Sequence, residues 1–253
     1  MEDKFDHILK RIDSRQLSKL WSFYRNYFKD DKSCLSFIYT AIRLEPVYTT
    51  EEIIDQCMEH FNEDDYTDPE DKYYIPRRML NCVERMVSAA RDMEQIRRGK
   101  DVFKIVFIVT CVETLQKLAG QTVQKKDMLF GFFKGYTSGK DKEYIRRHFA
   151  RGSQGLYNED SFEQFVGVIN EYRNCAAHEG EYWDYCFNNF YKRKPLSIHV
   201  KIDLDNYTMK NKKDHVFETT LSYPKFEEIF VRTCITFIKR YVSSQEITVN
   251  ADT

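Results

Sequence analysis

The chain has 253 residues, with 39 lysines and arginines against 40 aspartates and glutamates, so its net charge of −1 excludes a polycation that coats nucleic acid. Hydrophobic residues make up 42% and charged residues 31%, which suits a soluble globular protein with one large domain or two small ones. Only nine glycines and five prolines interrupt the chain, which argues for helices over a many-turned β architecture.

Amphipathic helices are expected from the start. "SRQLSKLWSFYRNYF" places Leu17, Leu20, Trp21, Tyr24 and Phe28 at helical spacing behind Ser14 as a cap. "KSCLSFIYTAIRL" gives a second apolar face that ends at Pro46. "TTEEIIDQCMEHF" opens on a threonine cap and an acidic first turn. The acidic, proline-containing "NEDDYTDPEDK" (62–72) reads as a linker or surface loop, which separates a helical N-terminal region, 1–70, from a domain over 73–245. A long helix then runs to Gly99, followed by "DVFKIVFIVTCVETLQKLAG", with Asp101 as N-cap and Gly120 past its end. This segment is apolar nearly all round and is expected to be the central buried helix. "KKDMLFGFFKGY" and the basic "KDKEYIRRHFARG" follow as helices, and another spans about Asp160 to His178. Ile198, Val200, Ile202 and Leu204 alternate in "SIHVKIDL", and with "HVFETTLSY" they predict a β-hairpin lying on the helices. A closing helix begins at "YPKFEEIF".

Seven cysteines are scattered, with no C-x-x-C pair, so neither a disulfide framework nor a zinc site is expected. The first residues lack a signal-peptide apolar block, and the longest apolar run, 102–112, is too short to cross a bilayer. A cytoplasmic protein without a membrane partner is the expectation.

"YRNCAAHEG" (172–180) stands out. On a helical wheel Phe162, Phe165, Ile169, Tyr172 and Ala176 form a core stripe, and Asn170, Asn174 and His178 follow at i, i+4 and i+8 on the other side. Arg173 lies between the two faces, five residues before His178, or roughly 140° away on a regular helix. The two converge only if the arginine reaches round or the helix end bends, and Gly180 marks an end there. A histidine in the last turn also suits an ordinary helix dipole.

The pattern Arg173-Asn174-Cys175-Ala176-Ala177-His178 resembles the signature of the HEPN superfamily, an arginine and a histidine separated by four to six residues, with a polar residue after the arginine. Its place late on a helix, after a very apolar helix and before a final one, resembles that superfamily too. The short form is most like the abortive-infection and Apea-like branches, and the likeness covers roughly residues 100–245. It implies a mainly α fold, a HEPN-like helical bundle with a β-hairpin insertion. It also implies an endoribonuclease that works without a metal or other cofactor, as a toxin or antiviral defence effector. Arg173, His178 and Asn174 would be catalytic, with Glu113 on the preceding helix as a supporting partner. The active site would be completed in a homodimer, with RNA as substrate and an antitoxin or regulatory protein as a further partner.

A basic stretch, Lys134, Lys140, Lys142, Arg146, Arg147 and Arg151, is interleaved with Phe133, Tyr136 and Tyr144, a combination that suits phosphate contacts and base stacking. Lys192, Arg193 and Lys194 form a second cluster, and Tyr182, Trp183 and Tyr185 are expected to pack beside the motif. Other motifs fail on single residues. Tyr182 stands where a zincin needs its second histidine, and Asp141 stands where a P-loop needs a hydroxyl. The rival readings are a catalytically inactive HEPN-like RNA- or protein-binding module and a helical adaptor.

Overall fold

The computed structural model describes residues 15–43, 74–96, 101–121, 125–152, 160–179, 185–189, 194–204 and 212–251. The helix expected over 49–61, the acidic stretch 62–72, Tyr182, Trp183, Lys192 and Arg193 lie outside them. The chain divides into two compact units, 85–234 and 1–84 with 235–253.

The second of these contains α1 (Arg15–Tyr24), α2 (Asp31–Arg43), the first part of α3 (Tyr74–Ile96) and the last part of α8 (Tyr223–Ala251). Leu20, Trp21, Tyr24, Leu35, Phe37, Leu80 and Ile238 are buried there. The buried Tyr24 hydroxyl donates to the Leu80 carbonyl at 3.0 Å, so the ring is buried without stranding its polar end. Burial, reinforced by the charge of Asp31, pushes the Cys34 thiol up to about 12. Cys34 is therefore expected to resist iodoacetamide in the native protein and to react on denaturation. Native labelling as fast as that of a free thiol would contradict this packing.

The 85–234 unit holds α4 (Asp101–Leu118), α5 (Lys125–Tyr136), α6 (Gly139–His148), β1 (Phe149–Arg151), α7 (Ser161–Asn174), β2 (Leu196–Ile202) and β3 (Lys213–Thr219), with the adjoining parts of α3 and α8. It is mainly α with a small antiparallel sheet in the order β1-β3-β2. The predicted hairpin is present as β2 and β3, with Ile198 opposite Phe217 and Val200 opposite His215. Ile198, Val200, Ile202 and Phe217 are buried, while Ser197, His199, Lys201 and Val216 face outward. The expected basic helix stops at His148, and its last residues form β1 instead. Phe149 explains the change, because its ring stacks on Phe217 at 5.1 Å and meets Phe165 at 5.3 Å, contacts made from a strand.

Capping chemistry sets several ends. The Ser138 hydroxyl donates to Asp141 Oδ2 at 2.9 Å and accepts from the Asp141 N–H at 3.1 Å, a reciprocal cap on α6. The Arg232 fork on α8 holds the same carboxylate, at 2.5 Å and 3.2 Å. Gly120 ends α4 at φ 69, in the left-handed region that glycine enters freely. Asp101 does more than the expected N-cap: it is 1% exposed, accepts from the Phe187 N–H at 2.7 Å and pairs with Lys104 at 2.7 Å.

The expectation that α4 is the central helix needs correction. Ile105, Ile108, Val112 and Leu115 are buried, but Val106, Phe107, Thr110 and Glu113 form a half-buried stripe. The centre is α7, which packs against α4, α5, α6, β1 and β2. Its first three turns are buried well beyond the predicted stripe, with Val166, Gly167 and Val168 enclosed as well. Much of the aromatic content is spent here: Phe165, Phe187 and Phe133 all contact Phe226, at 5.4, 5.2 and 6.4 Å. Full burial of each such ring is worth roughly 1.5–3 kcal/mol.

Candidate active site

Three consecutive residues at the end of α7 each reach a different element. Buried Glu171 forms an ion pair with Lys212, the residue before β3. The Tyr172 hydroxyl donates to the His199 carbonyl of β2 at 2.6 Å, and its ring packs on Tyr185 at 4.9 Å. Arg173 crosses to α4, where its guanidinium is ion-paired with Glu113, and a second N–H donates to Asn174 Oδ1 at 3.1 Å. Successive residues on a helix diverge by roughly 100°, so three in a row grip three sides. The remaining side carries Asn170, Asn174 and Ala177, which are half-exposed or exposed.

The structure therefore brings together Arg173, Asn174 and Glu113. With side-chain exposures of 17% for Arg173 and 30% for Glu113, the pair sits at the rim of the core.

Beyond Asn174 the helix widens. Cys175–Glu179 form an i→i+5 turn, the kind of short insert that recurs at functional sites in α-helices. In such a turn residues five apart follow one another along the axis, and Arg173 and His178 are five apart. Arg173 itself stands in the regular part of the helix, two residues before this turn begins. The backbone of His178 lies in this turn, and its side chain is outside the described residues. Cys175 Sγ lies 3.5 Å from the Glu171 carboxylate, which ties the turn back to the last α-helical residues.

Tyr185 packs against Tyr172, the residue before Arg173. It is 1% exposed, and burial first, then the negative charge of Asp101, pushes its hydroxyl well above its ordinary range. Its Oη has no hydrogen-bond partner among the described residues. The expected packing beside the motif is thus observed for Tyr185.

No family model, curated protein or solved structure matches the chain.

The basic residues are dispersed. The Lys142 ammonium donates to the Lys134 carbonyl at 2.6 Å, closing the end of α5, and lies 5.7 Å from the Phe162 ring. Phe162 is at the start of α7, roughly 16 Å along the helix from Arg173 at 1.5 Å per residue. Lys134, Lys140 and Arg147 are exposed, and Arg147 is paired with Glu143 at 2.9 Å. Arg146 is half-buried, with a buried Nε that has no hydrogen-bond partner among the described residues. Arg151 lies in β1 opposite Phe217, and its side chain is outside the described residues. Lys194 is exposed, and its carbonyl accepts from Asn188 at 2.7 Å. Of the interleaved aromatics, Phe133 is core, whereas Tyr144 stacks on His148 at 4.0 Å on half-exposed α6 positions.

Sequence reasoning missed Glu171 and Lys212. Glu171 falls roughly 140° from the middle of the core stripe on a wheel, which predicts a solvated residue. Its burial depends on a partner 41 residues away, which no local pattern announces.

Proposed function

We propose that the chain is an endoribonuclease of HEPN type, acting without a metal as a homodimer in defence or as a toxin. The observation that carries this reading is the Arg173 guanidinium, held by Glu113 and Asn174 at a half-exposed helix end whose widened turn bears His178.

In the proposed reaction the 2′-hydroxyl of RNA attacks the adjacent phosphorus as the bond to the 5′-oxygen breaks. The products are a 2′,3′-cyclic phosphate and a 5′-hydroxyl end. One proton leaves the 2′-oxygen and one reaches the 5′-oxygen. Imidazole, with an ordinary pKa of about 6.5, suits both transfers near neutrality. Arg173 would face the crowded phosphorane oxygens with a forked cation, oriented from behind by Glu113. Asn174 holds the fork in plane. DNA, which lacks the 2′-hydroxyl, would not be cut.

Two proton transfers call for two imidazoles, and a second copy of the chain would supply the other. The half-buried stripe of Val106, Phe107 and Thr110 leads along α4 to Glu113, beside Arg173, and is the surface proposed for pairing. Phe107→Glu is expected to yield a folded monomer by sedimentation and to lose RNA cleavage with the dimer. A monomeric wild type at micromolar concentration, or a Phe107→Glu dimer, would rule out this interface.

One observation favours a second reading. Arg173 already has an anionic partner, so the cluster also suits a purely structural ion pair in a catalytically inactive RNA- or protein-binding module. Wild-type protein incubated with labelled RNA in EDTA separates the two. Fragments ending in 2′,3′-cyclic phosphate support the nuclease, and intact RNA supports the module.

A further inference from the structure

We infer that the β2–β3 hairpin is the positioning element of the Arg173–His178 turn, with Lys212 and Glu171 as its positioning residues. The hairpin meets the end of α7 at two points. Lys212, one residue before β3, is ion-paired with Glu171, and the His199 carbonyl on β2 accepts the Tyr172 hydroxyl. Both carboxylate and ammonium are largely withdrawn from water, with side-chain exposures of 8% for Glu171 and 13% for Lys212. A pair so enclosed is held to one geometry, and removing one member leaves the other buried without its countercharge.

The placement of these ties matters more than their number. They act on the two residues directly before Arg173, on the last full turn before the backbone changes from α-helical to i→i+5 hydrogen bonding. The Cys175 thiol contacts the same Glu171 carboxylate, so one buried anion links the hairpin to the first residue of the widened turn. A widened turn forgoes regular α-helical bonding, and it persists when its surroundings hold it. The hairpin supplies that hold on one side and Glu113 on the other. Neither Lys212 nor Glu171 touches substrate in this scheme. They set where Arg173 and His178 sit.

The catalytic consequence depends on the ribonuclease reading, but the structural tie does not, so two readouts are needed. In Lys212→Ala, amide hydrogen exchange across 175–179 is expected to quicken by about tenfold or more, with α4 and α8 unchanged. RNA cleavage is expected to fall by on the order of 10²-fold in kcat, with KM within about twofold, as misplaced catalytic groups produce. Lys212→Arg keeps the charge and is expected to restore most of both properties. Tyr172→Phe, which removes only the hydroxyl tie to β2, is expected to show the same exchange pattern more weakly. Unchanged exchange at 175–179 in Lys212→Ala, or exchange that rises uniformly through the 85–234 unit, overturns the proposal. Locally quickened exchange in Lys212→Ala, together with a wild type that cleaves no RNA, would uphold the tie and reject the nuclease.

Discussion

His178→Ala is expected to cleave labelled RNA at least about 100-fold more slowly than wild type, with EDTA present throughout. Loss of a positioned proton-transfer group costs roughly 10²- to 10⁴-fold, and the larger figure applies if the composite site loses both imidazoles. On the proposed mechanism Arg173→Ala removes the cation that would face the phosphorane and should cost on the order of 10²- to 10³-fold, as removal of an oxyanion donor does. Arg173→Lys should recover little, because an ammonium cannot engage Glu113 and a phosphate through one rigid fork. The ordering separates chemistry from packing. A structural Arg173–Glu113 pair in an inactive module predicts similar losses of stability in Arg173→Ala and Glu113→Ala, with RNA left intact by wild type and His178→Ala alike. Equal rates for wild type and His178→Ala would end the nuclease reading.

The largest expected effect on stability lies elsewhere in the same unit. Asp101→Ala is expected to destabilise the protein by roughly 3–5 kcal/mol in denaturant unfolding, the usual cost of stranding a buried charge. Lys104 is 2% exposed, pairs with Asp101 at 2.7 Å and Glu94 at 2.5 Å, and lies 4.5 Å from the Tyr223 ring. Without Asp101 the ammonium keeps only the more exposed Glu94, and the Phe187 N–H loses its acceptor. Replacing Lys104 by Met in the same variant should recover part of the loss, because it removes the stranded charge. A deficit of under about 1 kcal/mol in Asp101→Ala would show that the cluster contributes as little as a surface pair. Burial opposes the charge on Lys104, but hydrogen bonds from its ammonium to Asp101 and Glu94 outweigh it and raise its pKa above the ordinary 10.5. A raised folded value means that the stabilisation is fully present below 10.5 and is lost as pH climbs through the folded pKa. Alkaline unfolding, not acid unfolding, should therefore weaken in Lys104→Met.

The legible parts of the sequence were those with a short period. Alternation at Ile198, Val200 and Ile202 identified β2 and its buried face, and Pro224 and Gly120 marked helix ends that the structure shares. Composition misled where burial is decided by neighbours. Residues 101–118 are the more apolar helix, yet α7, with Gln164 and Glu171 buried, occupies the centre. Packing on several sides, and not apolar content, puts it there. The arginine–glutamate pair was anticipated from a resemblance and is formed. The widened turn had no signal beyond Gly180, because hydrogen bonding of i→i+5 type leaves no compositional trace. Arg173 and Asn174 meet at the end of α7, whereas Lys142 lies against Phe162 at the other end of the same helix.

The sheet has an arrangement that bears on self-association. One of its outer strands, β1, is three residues long, and the other, β2, has the His199 carbonyl already taken by Tyr172. An open strand edge is what recruits further strands, in domain exchange and in fibrils alike. With one edge three residues long and one carbonyl of the other already taken, the described strands offer a reduced template for that growth.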